Sequence, residues 1–195
     1  WILTASHCVV GTGATPSSLQ IKVGEHDHRV NEGTEQVIGV EKIIAHPQYS
    51  TKLLTNDIAL IKLSAPVRIN SRVQTICLPS SGSRPTVGSR QCYLSGWASI
   101  QHPGPAHPTL QQAMLPAVSS NNCFNRKDMV CTGFGKASPT NACRGDSGGP
   151  YVCRRSDGRW EQQGVASFVV EYCKYYTAFT PVGDYISWIN QHIST

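Results

Sequence analysis

The apolar positions of this chain fall into short strand-like runs: Leu19 to Val23, Glu35 to Ile44, Ile58 to Leu63, Cys92 to Gly96, Gly164 to Val170 and Ala178 to Pro181. Turn residues separate them, at Gly11-Thr12-Gly13, Ser80 to Ser83, Pro103-Gly104-Pro105 and Asp157-Gly158. Many short strands punctuated by Gly and Pro predict an all-β barrel or sandwich. One segment breaks the pattern. After Asp184, a residue type suited to an N-cap, Tyr185, Ile186, Ile189 and Ile193 share one helical face, with Trp188 at its edge. That spacing predicts a terminal helix docked on β structure. The Ser/Gly/Pro-rich stretch from Ser80 to Ser89 is the expected linker between two parts of the chain.

Composition narrows the function classes. The chain has 195 residues, enough for one large or two small domains. It holds no apolar run of about 18 residues, so no membrane span is expected. The formal charge is +5, with Lys and Arg scattered and no basic run longer than two residues, as at Arg154-Arg155. This reads as a solvated surface rather than a nucleic-acid patch. Eight cysteines stand at irregular spacings with no C-x-x-C pair, which argues against zinc. Disulfides in an oxidising, extracellular compartment are expected, with the pairing left open by spacing alone.

Three local signals carry chemistry: Thr4-Ala5-Ser6-His7-Cys8 at the end of an apolar strand, Asn56-Asp57-Ile58-Ala59-Leu60 opening an apolar run, and the glycine-rich turn Gly145-Asp146-Ser147-Gly148-Gly149-Pro150. Taken singly, each has an ordinary structural reading as a packed histidine, a capping aspartate and a tight turn. A phosphate loop would need Gly-Lys-Ser/Thr opening a helix, and neither is present. Together, in the order His, Asp, Ser, they resemble the chymotrypsin family of serine peptidases, and more closely its elastase-like members.

The resemblance implies two Greek-key six-stranded antiparallel β-barrels and a C-terminal α-helix. Residues 1–80 would form the first barrel, incomplete here and carrying His7 and Asp57. Residues 81–183 would form the second, carrying Ser147, and 184–195 the helix. It implies a serine endopeptidase in which Ser147 is nucleophile, His7 general base and then acid, and Asp57 the group that holds the imidazole tautomer. The backbone N–H groups of Gly145 and Ser147 would form the oxyanion hole. Ser167 would support Asp57, and the backbone from Ser167 to Val169 would pair with an extended substrate. Asn141 is expected at the base of the primary specificity pocket, Val169 and Thr177 on its walls and Arg144 at its mouth. An uncharged base and narrow walls predict cleavage after small or medium aliphatic residues.

The acid-rich stretch from Glu25 to Glu35 resembles the family's calcium loop. Glu25 and Glu35 would give carboxylates, Asp27 and Val30 backbone carbonyls, and Glu32 a direct or water-mediated ligand to a structural calcium. No cofactor is expected in catalysis. The implied disulfides are Cys92–Cys153, Cys123–Cys131 and Cys143–Cys173, leaving Cys8 and Cys77 unpaired. The expected partners are protein or peptide substrates and protein inhibitors of proteases, with neither nucleic acid nor membrane, for a secreted monomer made as a zymogen. Relatives carry a segment ahead of the position of Trp1, with a cleaved amino terminus that meets the acid matching Asp146, so the chain alone is expected to be inactive or unstable. The rival readings are a catalytically inert binding protein of the same fold and a non-functional fragment.

Overall fold

The computed structural model describes residues 1–99, 103–137 and 140–194. Its elements form two curled antiparallel sheets. The first contains β1 (Ile2–Thr4), β2 (Gln20–Val23), β3 (Gln36–Ala45) and β4 (Ala59–Leu63) in the order β1-β4-β3-β2. Alternate side chains of these strands meet on one face, where Val9, Ala59 and Ile61 are buried against Ile2, Leu19, Ile21, Val40 and Ile43. Between β1 and β2 lies a short helix α1 (Ser6–Val10). His7 therefore sits on a helical turn, not at the end of a strand as its apolar approach suggested.

The second sheet contains β5 (Cys92–Gly96), β6 (Gln111–Met114), β7 (Ala117–Val118), β8 (Val130–Thr132), β9 (Pro150–Arg154), β10 (Trp160–Val170) and β11 (Tyr176–Pro181). Their order is β6-β5-β9-β10-β11-β8-β7. The strands at its two ends, β6 and β7, are consecutive in the chain and separated only by Leu115 and Pro116. They are two arms of one bent strand, so the sheet curls back on itself and the expected six strands appear as seven pieces. Proline at the bend is natural, because it has no N–H to give to a ladder. The interior is filled by Leu94, Leu115, Tyr151, Ala166 and Phe179. Tyr151 stacks on Phe179 at 4.7 Å and its hydroxyl donates to the Leu115 carbonyl at 2.6 Å, so the buried phenol is satisfied.

The C-terminal helix α2 (Ile186–Ile193) joins the two halves. Ile189 is buried with Ala5 and Ile58 from the first half and Val165 and Val182 from the second. Asp184 is not its N-cap. Residues Val182–Tyr185 form a 3-10 turn ahead of the helix, Tyr185 occupies the cap position without a side-chain cap, and the Asp184 carboxylate pairs with Arg84 instead. The crossing between halves also begins earlier than the Ser80 to Ser89 stretch. Cys77 N donates to Trp160 O at 3.3 Å and Gln162 N to Cys77 O at 2.9 Å, which lays the chain along β10 before residue 80.

Candidate active site

Asp57 is wholly buried and is the fixed point of the site. A buried carboxylate is costly unless donors surround it, and three do. The His7 backbone N–H donates to Oδ1 at 2.8 Å, while His7 Nδ1–H and the Ser167 hydroxyl donate to Oδ2 at 2.7 and 2.6 Å. Local geometry sets this up on both sides. Asn56 adopts φ 51°, a left-handed conformation that Asn tolerates better than most residues. It is held by Tyr185 Oη, which donates to its Oδ1 at 2.9 Å. Thr180 Oγ1 donates to the Asp57 carbonyl at 2.9 Å. On the other side, Ser6 Oγ donates to Ile58 O at 2.6 Å, which ties α1 to the start of β4. The Asp57 hydrogen bond raises the His7 pKa above the ordinary imidazole range, because it favours the charged ring.

Ser167 reaches Asp57 through a β-bulge. The β10–β11 register runs Ala166↔Phe179 and then Phe168↔Ala178, leaving Ser167 as the extra residue. A bulge re-aims a side chain out of the alternation of its strand. Strand alternation alone gives no sign of it.

The serine turn is stitched to the same strand. Gly148 N donates to Ala166 O at 2.8 Å and Ala166 N to Gly149 O at 2.9 Å. Gly145 and Gly148 take φ of 107° and 78°, which a residue with a side chain resists. At Gly148 space is equally decisive: a Cβ would stand 3.0 Å from Cys8 Sγ and 3.4 Å from Ala5 N. The serine turn thus lies directly on the segment that carries His7. Ser147 is exposed. Among the described residues the amides of Asp146, Gly148 and Gly149 donate to backbone carbonyls, while those of Gly145 and Ser147 have no acceptor. No hydrogen bond joins Ser147 to His7 among the described residues. His7 Nε2 has Cys8 Sγ at 3.7 Å, a long contact. Catalytic hydrogen bonds are often loose before substrate binds.

A cavity of about 330 Å³ opens beside Ser147, lined by Ala142, Cys143, Arg144, Ala166 to Val169, Tyr172, Cys173 and Thr177. Val169 and Thr177 are directly paired in the β10–β11 register, and Cys143–Cys173 braces the rim. Arg144 is exposed at this cavity. Asn141 is not at its base. It lines a second cavity, of about 220 Å³, with Asp146. Its Oδ1 accepts from Thr177 Oγ1, which itself accepts from Ala142 N at 3.2 Å, and its Nδ2 is buried without a partner. Thr177 thus stands between Asn141 and the pocket. Asp146 is buried, accepts from Cys143 N at 3.0 Å and Ala98 N at 3.4 Å, and has its pKa raised by desolvation. Among the described residues, no lysine, arginine or histidine lines its cavity.

In the loop between β2 and β3, Glu25, Glu32 and Glu35 bring carboxylate oxygens within 4.8 Å of one another. Glu35 Oε2 is buried and unpartnered. Lys22 Nζ lies 3.1 Å from Glu25 Oε2 and lowers that carboxyl's pKa. Asp27 turns its carboxylate to Arg29 Nη2 at 2.6 Å, and its carbonyl accepts from Val30 N at 3.2 Å. The disulfides are Cys92–Cys153, Cys123–Cys131 and Cys143–Cys173, and Cys8 and Cys77 are free thiols.

Two curled sheets, with a serine-bearing turn on one packed against the segment of the other that carries His7, make the architecture of a trypsin-type hydrolase. The Trypsin family profile matches residues 1–189. Over its whole length the chain is 37% identical to proproteinase E of Bos taurus, covering 80% of that protein. It is 36% identical to chymotrypsin-like elastase family member 3B of Homo sapiens, covering 75%, and 35% identical to trypsin of Xenopus laevis, covering 78%. The chain belongs to the trypsin family and is a serine endopeptidase.

Proposed function

We propose that this endopeptidase cleaves protein and peptide substrates through a triad of His7, Asp57 and Ser147. The observation that carries the reading is the buried Asp57 carboxylate, held by three donors, one of them His7 Nδ1–H. That bond leaves His7 Nε2 as the basic nitrogen. Ser147 Oγ attacks the scissile carbonyl as Nε2 takes its proton; the carbonyl electrons move onto oxygen. The unpaired amides of Gly145 and Ser147 receive that oxyanion, and losing one such donor costs about 3 kcal/mol of transition-state stabilisation. His7 then protonates the leaving amine, and water repeats the sequence on the acyl-enzyme.

The pocket supports cleavage after Ala, Val or Leu. Val169 and Thr177 stand side by side in its lining, among the described residues no acid lines it, and Arg144 adds positive charge at its rim. A cationic side chain gains nothing there, and acidic residues beside the cleaved position are favoured. On the side away from β11, pairing of β10 with β9 stops at Val165, which leaves the backbone from Ser167 to Val169 open to an extended substrate. Glu25, Glu32 and Glu35, with the carbonyls of Asp27 and Val30, hold a structural calcium, and the unpartnered Glu35 oxygen supports that fit. The protein is read as a secreted, monomeric enzyme made as a zymogen and subject to protein inhibitors, in keeping with its disulfides.

The test is labelling by a fluorophosphonate, which reacts with activated serines, together with hydrolysis of esters ending in Ala, Val, Leu, Phe and Lys. Label should map to Ser147, Ser147→Ala should lower kcat by about 10⁴-fold or more, and the Lys ester should be the poorest of the five. Absence of label at Ser147 in a folded, peptide-binding protein would refute the triad. A preference for the Lys ester would refute the pocket reading.

A further inference from the structure

One guanidinium beside the site is used by no step above. The disulfide Cys123–Cys131 closes a short loop ahead of β8. In it Phe124 and Asn125 take left-handed φ of 57° and 55°, so the chain turns sharply just before Arg126. Arg126 Nε and Nη2 donate to Asp128 Oδ1 and Oδ2 at 2.7 and 2.6 Å, a fork that fixes the guanidinium plane. From that plane Nη1 donates to the carbonyl of Leu53 at 2.9 Å and Nη2 to that of Leu54 at 3.4 Å. Cζ lies 5.7 Å from the centre of the Phe168 ring. A single side chain thus joins the disulfide loop, strand β10 and the loop that leads into Asp57.

The two elements it joins border the proposed reaction centre. Phe168 lines the cavity of Ser147 and belongs to the stretch of β10 with an open edge. Leu54 is held at φ 51°, which an L residue keeps only where its surroundings impose it. Leu53 and Phe124 are 59% and 73% exposed, and Phe124 lies 6.5 Å from Phe168. Leu53 thus lies in a segment that Arg126 ties down, Phe124 lies beside Phe168, and Phe168 carries the apolar surface on into the pocket. Asp128 balances the arginine's charge, so the surface is apolar in character and not an anion site.

We propose that Arg126 is a positioning residue for peptide hydrolysis: it sets the spacing between the 53–54 loop and β10, and so the grip on the acyl-side part of a substrate several residues before the scissile bond. The proposal rests on the reading of Ser147 as nucleophile only for its kinetic arm. Single-residue substrates end before this region and do not depend on it. Longer peptides with an apolar residue upstream do.

The experiment compares wild type with Arg126→Met, which keeps the stem and removes the donors, and with Arg126→Lys, whose ammonium cannot reproduce the fork. Binding is read by calorimetry with a dipeptide and a tetrapeptide carboxylate ending in Val, the latter with an upstream Phe. Turnover is read with the matching esters. The tetrapeptide's advantage over the dipeptide should fall about tenfold in Arg126→Met, in KM and not in kcat, with only partial recovery in Arg126→Lys. The single-residue ester should be unaffected. An unchanged length advantage in binding overturns the proposal, as does an equal loss on short and long substrates. Binding that follows this pattern without turnover by wild type supports Arg126 and counts against Ser147.

Discussion

At the level of single residues, the site is a problem of buried charge. The buried Asp57 carboxylate accepts three hydrogen bonds, and the one from His7 Nδ1 favours the protonated imidazole. A base must be unprotonated to act, and a raised pKa extends the protonated form to higher pH. Activity should therefore rise as pH rises through the His7 pKa, and fall away below it. We expect kcat/KM, which reports the free enzyme, to show an acidic limb with its midpoint above the ordinary imidazole value of 6.5. Asp57→Asn should lower that midpoint and reduce kcat by about 10⁴-fold through the wrong tautomer. A wild-type midpoint at or below 6.5 would contradict the coupling. His7, Asp57 and Ser147 carry the strongest sequence signals because each stands in a distinctive local motif. Asn141 was misplaced for the opposite reason. Its identity says nothing of whether Thr177 screens it from the pocket, and that depends on the packing of β11 against the 141–143 segment.

At the level of elements, most strands were legible from runs of apolar residues, while their irregularities were not. The bulge at Ser167 is a mismatch between two strands, and neither strand alone encodes it. The helical turn under His7 is only five residues long, below the length at which periodicity speaks. Asp184 has good capping chemistry, yet the pull of Arg84 and a preceding 3-10 turn move the helix start beyond it. The loop from Glu25 to Glu35 makes a further prediction. Three converging carboxylates repel one another unless a cation or proton intervenes. Calcium at about 100 times its Kd should stabilise the fold by about 2.7 kcal/mol, chelation should reverse this, and Glu35→Gln should abolish most of the effect. Thermal unfolding with and without calcium checks it, and an equal response in Glu35→Gln would exclude this loop as the site.

At the level of the whole molecule, the proposed catalytic groups come from opposite halves, and what holds the halves together holds the site. His7 and Asp57 belong to the first half, while Ser147, Ser167 and Thr180 belong to the second. The shared core of Ala5, Ile58, Val165, Val182 and Ile189 lies between them. Ile189 is almost completely buried, so Ile189→Ala should cost about 3 kcal/mol by leaving a cavity. It should also loosen the registration of the two halves. Urea unfolding measures the first effect, and a cost below about 1 kcal/mol would show that α2 merely decorates the fold.

The chain's residue order by itself determined the strand-rich class, the three motifs and their chemistry, because turn residues, apolar runs and glycine-flanked nucleophiles act over a few neighbouring positions. The cysteine pairing and the Ser167–Asp57 contact were legible only through the family resemblance, and tertiary structure alone decided that Asn141 turns to a second cavity and that Arg126 bridges two loops. Each of those outcomes depends on the register and separation of segments distant in sequence, and only the packing of the assembled sheets sets them.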